Sequence, residues 1–206
     1  NCIEPKIYKK EFKNKKLIKK YKIKNKKIII SCARLDEEDK NKGVDETLQS
    51  LIVLSKKVSN IFYIIIGDGD DKKRLEEKAK YLKVDHLVKF MGKVDQKTKI
   101  EIYKIGQVMA MPGSRKTYDR YPFRFVNLEA LASGMHVLCS NLKYKSDLED
   151  KNIKMVTQVN PNNQKQIAKK LNYLLGKKKK ISPFLKNFYF ENFKKKVVSL
   201  FFETIT

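Results

Sequence analysis

Three stretches of this chain hold residue types that could do chemistry. The first is RYPFRFVNLEALASG, residues 120–134. It begins as an irregular loop through Arg120, Tyr121 and Pro122. It then turns into a helix with small residues that stops at Gly134. Glu129 sits in its middle, between Leu128 and Ala130, among residues that look buried. A carboxylate there is either an acceptor for a ligand or part of a polar helix face.

The second stretch is GDGDD, residues 67–71. As a dinucleotide fingerprint it lacks the third glycine, and as a P-loop it lacks the Gly-Lys-Ser/Thr ending. Two readings stay open. Asp68 and Asp70 form an Asp-x-Asp pair that suits a hard cation carrying a diphosphate. Alternatively the run is a tight strand-to-helix turn with Asp70 or Asp71 as helix cap. The third feature is the pair Arg34 and Lys42. Arg34 ends an apolar run, and Lys42 precedes Gly43 at the start of the next helix. Two cations beside a helix N-terminus suit a diphosphate, although with 47 basic residues some fall on any rim by chance. His86 and His136 have no nucleophile or carboxylate at a recognisable spacing and read as structural. No Ser-His-Asp or Cys-His arrangement is legible.

These residues must be positioned by the elements around them. KIIISCAR (27–34) and IFYIIIGDG (61–69) are short continuous apolar runs, as expected of strands buried on both faces. LVKFMG (87–92), QVMAMPGS (107–114), HVLCS (136–140) and IKMVTQV (153–159) read as further strands. Helical patterns lie between them at 44–58, 71–82, 97–106 and 125–133, and then at 163–175 and 188–203. In the first, Val44, Leu48, Leu51, Ile52 and Val58 fit one face. The last carries a stripe through Phe193, Val197, Leu200 and Phe201. Strands alternating with helices predict an α/β fold with a doubly wound parallel sheet. Such sheets bind ligands at the carboxyl ends of their strands. Those ends are Ala33–Arg34, Gly67–Gly69, Gly92, Pro112–Ser114 and Ser140, and the loop 115–124 belongs to the same rim.

Composition narrows the class. The chain has 206 residues, 41% of them hydrophobic, enough for one sizeable core. No apolar run approaches the ~20 residues of a membrane span. The opening NCIEPKIYKK is polar and charged, unlike a secretion signal, and Asn in first place suggests a piece of a longer chain. Cys2, Cys32 and Cys139 are widely separated, which argues against a disulfide framework or a metal site and for a reduced, cytosolic protein. The net charge is +24. It reads as an anionic partner or as lysines decorating solvated faces. No helix-turn-helix, zinc-finger or RNA-binding signature accompanies it, so nucleic acid is not expected as a partner.

Several pieces together resemble one family. SCARL (31–35), NKG (41–43), YIIIGDGDDKKRLEEKAKYLKVDHLVKFMGKV (63–94), VMAMPGS (108–114) and VNLEALASGMHVLCS (126–140) look like the C-terminal, donor-binding domain of the family 4 glycosyltransferases, which have the GT-B fold. Order and spacing match over about residues 28–175. The opening NCIE resembles that family's Asn-Gly-Val-Asp stretch at the hinge between its two domains. The resemblance implies a hinge and lead-in at 1–27, a Rossmann-like nucleotide-sugar domain at 28–180, and at 181–206 a helix that packs back toward an N-terminal domain not contained in these residues.

It also implies roles. Glu129 corresponds to the second Glu of a Glu-x7-Glu motif and is expected to accept the ribose hydroxyls. Arg34, Lys42 and the backbone N–H groups around Phe123, Arg124 and Phe125 would hold the diphosphate. Met91, Lys93 and Val94 would meet the base. The first Glu of the motif aligns with Tyr121, and the family's Glu-Gly-Phe-Gly becomes Tyr121-Pro122-Phe123-Arg124. Asp119 and Tyr121 are then the donor-sugar loop. The family also favours Gly where Ala33 stands and Pro where His136 stands. The implied activity is hexosyltransferase-type transfer of a hexose or N-acetylhexosamine, with retention, from a UDP-sugar to a lipid-linked glycan in bacterial surface polysaccharide. No metal or other cofactor is expected. The enzyme would lie on the inner face of the cytoplasmic membrane, and this part alone would be inactive. The altered loop keeps open the alternative of a non-catalytic nucleotide-sugar-binding subunit.

Overall fold

The computed structural model describes residues 7–8, 15–113, 125–140 and 155–181, together with Leu185, Tyr189, Glu191 and Lys194. A short helix α1 (Lys15–Lys20) leads in. Then come β1 (Lys27–Cys32), α2 (Val44–Ser55), β2 (Ile61–Ile66), α3 (Lys72–Tyr81), β3 (Val88–Phe90), α4 (Gln96–Ile105), β4 (Val108–Met111), α5 (Phe125–Ala132), β5 (His136–Ser140), β6 (Val156–Val159) and α6 (Gln164–Leu175). A 3-10 turn, Glu37–Lys42, precedes α2.

The six strands form one sheet in the order β3-β2-β1-β4-β5-β6. Every pairing is parallel, with Ile30 opposite Ile64 on one side of β1 and Ile29 opposite Val108 on the other. The expected doubly wound sheet is borne out. Its strand order reverses between β1 and β4, which opens a crevice there. The outer strands β3 and β6 are short, and Lys89 is exposed in the middle of β3.

The apolar runs are continuous because both faces of the sheet are covered. Successive strand side chains point to opposite faces. Ile28 and Ile30 join Ile64, Met109, Val137, Ile102, Tyr103, Leu128 and Leu131 on one face. Ile29 joins Tyr63, Ile65, Val108, Leu138, Leu48, Leu51, Leu75 and Leu171 on the other. Tyr8, Leu17 and Ile23 of the lysine-rich lead-in are buried in the first of these layers.

Some local expectations are corrected. Ile52 is 38% exposed and lies off the buried stripe of α2, whereas Val58 is buried beyond the helix end. The run 87–92 is strand only from Val88, because Asp85–Leu87 is a 3-10 turn. The final helical stripe lies outside the described residues. The KKKK run at 177–180 makes specific contacts. Lys179 Nζ donates to the carbonyls of Tyr103 at 3.3 Å and Lys104 at 2.8 Å, at the C-terminus of α4, where a cation is favoured. Lys180 N donates to Gly134 O at 3.3 Å.

His136 is buried under this strap. Its Nε2 is 3.3 Å from Lys178 O, and its Nδ1 has no partner among the described contacts. Burial lowers its pKa, and the positive charge of Lys177 adds to the effect despite the Lys178 carbonyl. A histidine that binds its proton less tightly when folded stabilises the fold above its ordinary value near 6.5, and that stability is lost as pH falls below it. Wild-type protein should lose about 2–4 °C more in melting temperature between pH 7.5 and 5.5 than His136→Gln does. Parallel melting curves for the two would show that the ring titrates as in the unfolded chain.

Candidate functional site

The carboxyl ends of the strands are tied together by their own backbone. Ala33 N donates to Ile66 O at 3.0 Å, Leu35 N to Asp68 O at 3.0 Å, and Gly67 N to Gly92 O at 3.0 Å. At the crevice, the loop after β4 presses on the start of α2. A β-carbon on Gly113 would stand 1.7 Å from Asn41 O, and one on Gly43 would stand 2.4 Å from Pro112 N. Gly43 also has φ 90°, a left-handed conformation that glycine takes without strain. These contacts bring the N-terminus of a 12-residue helix to the point where the strand order reverses. No side chain caps it through Gly43. Its first-turn N–H groups therefore supply donors and partial positive charge at the crevice.

Lys42 ends the 3-10 turn immediately before Gly43 and is half-buried. Arg34 follows β1, is 78% exposed, and pairs with Asp36 at 3.2 Å. The expected cations thus flank the mouth of the β1/β4 crevice. The aspartates of GDGDD are engaged by neighbouring residues, Asp71 buried and Asp68 and Asp70 exposed. Asp70 Oδ1 accepts from Glu37 N at 2.6 Å and so caps the 3-10 turn rather than α3. Asp71 is the N-cap of α3 without making a cap bond, and it takes Arg74 Nε at 2.5 Å and Nη2 at 2.7 Å. Asp68 lies 3.5 Å from Lys72. Among the described residues no group of three His, Cys, Asp or Glu side chains is placed to hold a metal ion.

Two acids stand in the first turn of α2 and would oppose an anion there. Asp45 is paired with Arg74 at 2.7 Å and with Lys78. Burial pushes its pKa up, but the hydrogen bonds from Arg74 and Lys78 outweigh that and hold it low. Glu46 has a buried Oε2 with no hydrogen-bond partner among the described residues. Burial raises its pKa to about 7, with the charge of Asp45 adding to the rise. Around neutral pH the Glu46 carboxyl is therefore protonated for a substantial part of the time, which weakens its opposition to an anion.

Glu129 lies one turn into α5 and is fully buried. Lys99 Nζ donates to its Oε1 at 2.8 Å and its Oε2 at 3.0 Å, and Tyr8 Oη donates to Oε1 at 2.9 Å. Gln96 Nε2 stands 3.5 Å from Oε1. Burial raises the pKa of Tyr8, and the neighbouring carboxylate raises it further, so its proton stays available for donation. The Cys32 thiol and the Tyr103 phenol lie close by, both pushed up chiefly by burial.

Gln96 and Lys99 belong to the start of α4, which follows directly from the proposed base loop. In that loop Met91 N donates to Ile65 O at 2.9 Å, Met91 and Val94 rest on the core, and Lys93 is exposed. The candidate base and ribose residues are thus joined through one helix turn. Phe125 opens α5 and is 42% exposed. Phe123, Arg124, Asp119 and Tyr121 lie outside the described residues. Sequence reasoning missed Tyr8, Gln96 and Lys99. Lys99 did leave a signal: it sits three and four residues before the buried Ile102 and Tyr103, on the inward face of α4.

Comparison with known proteins agrees with this fold. The family model for glycosyl transferases group 1 matches residues 13–188. The "Uncharacterized glycosyltransferase MJ1607" of Methanocaldococcus jannaschii is 31% identical over 116 residues, 56% of this chain and 27% of the relative. Among solved structures, Anabaena Alr3699/HepE in complex with UDP and glucose matches 98% of this chain and 55% of its own, with a TM-score of 0.78 at 16% identity. WaaG, a glycosyltransferase involved in lipopolysaccharide biosynthesis, matches 93% of this chain and 50% of its own, with a TM-score of 0.68 at 20% identity. The chain therefore spans about a quarter of the curated relative and about half of these solved structures.

Glu46 offers a test of the crevice electrostatics. A carboxyl whose pKa is raised in the fold stabilises it most below the unfolded value near 4.5, and loses that contribution as pH climbs through about 7. Glu46→Gln removes the loss. The variant should gain about 2–4 °C on wild type between pH 5.5 and pH 8 in thermal melts. An unchanged difference across that range would place Glu46 in solvent.

Proposed function

The chain belongs to the group 1 glycosyl transferases, and on that premise we propose that it is the donor-binding domain of a retaining enzyme that transfers a hexose or N-acetylhexosamine from a UDP-sugar. The observation that carries this reading is the uncapped N-terminus of α2 at the β1/β4 crevice, with Lys42 beside it and Arg34 on the same rim. As the glycosidic bond breaks, negative charge grows on the leaving diphosphate. Fixed N–H donors and cations stabilise that charge without needing to reorganise. Glu129 accepts the ribose hydroxyls, and Met91, Lys93 and Val94 line the base. Phe123, Arg124 and Phe125 complete the diphosphate contacts from the loop side, with Asp119 and Tyr121 toward the sugar. Phosphate charge is met here by protein cations and N–H groups, so no metal takes part in this proposal.

The uracil base is favoured by the UDP held in the HepE structure. A lipid-linked glycan acceptor, in capsule, O-antigen or lipopolysaccharide synthesis, is favoured by the role of WaaG. Residues 1–27 act as the hinge, and residues 181–206 return toward an acceptor-binding domain. The departure from the family motif at Tyr121-Pro122-Phe123-Arg124 favours a second reading, nucleotide binding without transfer. Turnover by the full-length protein with any of a panel of donors would exclude it.

Charge suggests where the enzyme works. No helix among the described residues is long and apolar enough to cross a membrane. Between Glu11 and Asp36 there is no acidic residue, and Lys19, Lys20, Lys22 and Lys24 are exposed. Such a basic stretch suits the anionic inner leaflet, at about 1 kcal/mol per lysine near the surface.

Calorimetry on this chain should show saturable UDP binding, with GDP at least about tenfold weaker and Glu129→Ala about tenfold weaker for UDP. Equal binding by Glu129→Ala would remove the ribose assignment. The chain should also sediment with phosphatidylglycerol vesicles at low salt, but not with phosphatidylcholine vesicles, and should be released by added salt. Indifference to lipid charge would end the membrane reading.

A further inference from the structure

Glu129 already has partners inside the fold, and they come from distant parts of the chain. Tyr8, in the lead-in before β1, donates its hydroxyl to Oε1 at 2.9 Å. Lys99, on the inward face of α4, reaches both oxygens, at 2.8 and 3.0 Å. The carboxylate is fully buried, Tyr8 is 7% exposed, and the Lys99 side chain is 18% exposed. An ionised carboxylate offers about four lone-pair sites. Three are taken at 3.0 Å or less, and Gln96 Nε2 stands 3.5 Å from Oε1, so a vicinal diol with two O–H donors finds room for one at most. One protein donor must yield before the diol can seat fully.

The two donors are not equivalent. Moving Lys99 away would leave a buried carboxylate without its counter-charge, a costly state. Moving the Tyr8 hydroxyl exchanges one neutral O–H donor for another of the same chemistry. The ring of Tyr8 packs in the core cluster. Its hydroxyl cannot move without the ring, so the exchange requires the lead-in segment to shift with it.

Resting on the reading of this site as a nucleotide-sugar site, we propose that Lys99 and Tyr8 together set the ribose selectivity of Glu129. Lys99 is a positioning residue that fixes both carboxylate oxygens. Tyr8 is an internal competitor whose hydroxyl keeps the place of a ribose hydroxyl until the nucleotide arrives. A ribose displaces Tyr8 and replaces its hydrogen bond. A ligand without the diol gains nothing from Glu129 and leaves Tyr8 where it is. Occupancy of the site is thereby felt at Tyr8, in the segment that leads into the domain.

The test is calorimetry on the 206-residue chain with UDP and with 2′,3′-dideoxyuridine diphosphate, for wild type, Tyr8→Phe, Lys99→Met, Lys99→Arg and Glu129→Ala. Tyr8→Phe keeps the ring and removes the competitor, so UDP should bind about three- to tenfold more tightly while the dideoxy analogue is unchanged. Lys99→Met should weaken UDP about tenfold, and Lys99→Arg should recover most of that loss. In carbon-13 tyrosine NMR, the resonance missing from Tyr8→Phe should shift with UDP and stay put with the analogue. UDP binding that depends on Glu129 but is unmoved by Tyr8→Phe, or moved equally for both ligands, overturns this inference and leaves the site reading standing. The same holds if Lys99→Met binds UDP as wild type does. No UDP binding by the wild-type chain up to millimolar ligand, or full binding by Glu129→Ala, overturns both.

Discussion

Gly113 and Gly43 meet backbone to backbone, and the crevice between β1 and β4 depends on that approach. A side chain at either position would force the β4 loop away from the start of α2. The helix N-terminus would then no longer lie at the reversal of the sheet, and Lys42 would move with it. Farther along the rim, three backbone hydrogen bonds fix the loops after β1, β2 and β3 to one another. The site is thus built mainly from main chain, which cannot be tuned residue by residue. Chemical individuality is left to the few side chains that enter from the flanking helices.

Those side chains differ in how legible they were. The strands were easy to read because burial on both faces demands continuous apolar runs, and KIIISC and IFYIII could be little else. Arg34 and Lys42 could be placed on the rim because a parallel sheet fixes which ends carry ligands. Glu129 was legible as an anomaly, a carboxylate in an apolar helix. Its partners were not. Tyr8 lies in a lysine-rich stretch whose composition hides the burial of Leu17 and Ile23 as well. Lys99 looked like one lysine among many, and only the position of Ile102 and Tyr103 on the same helix face distinguishes it. Ile52 misled for the opposite reason: an apolar residue at the edge of a helical stripe has no obligation to be buried.

The charge also divides into parts with different physical meaning. Some lysines do internal structural tasks: Lys99 neutralises a buried carboxylate, Lys179 closes the end of α4, and Lys78 pairs with Asp45. Others, such as Lys19 and Lys22, stand in solvent. The net count of +24 already cancels each lysine against the carboxylate it pairs with. The excess that a distant anion can feel is carried by cations without an acidic partner, and salt screens it.

The outline of the sheet has a consequence for how copies of this chain behave in a crowded solution. Its two margins among the described residues are short strands, three residues in β3 and four in β6. Lys89 projects from the centre of one, and Gln158 is exposed on the other. Short margins, one bearing an exposed lysine, give a neighbouring chain little main chain to pair with. The apolar strands that could seed aggregation, β1 and β4, lie at the centre, where both sides are occupied. Colloidal behaviour should therefore be governed by mutual repulsion of like-charged particles rather than by strand exchange, and concentrated solutions should be limited by counter-ion conditions more than by time.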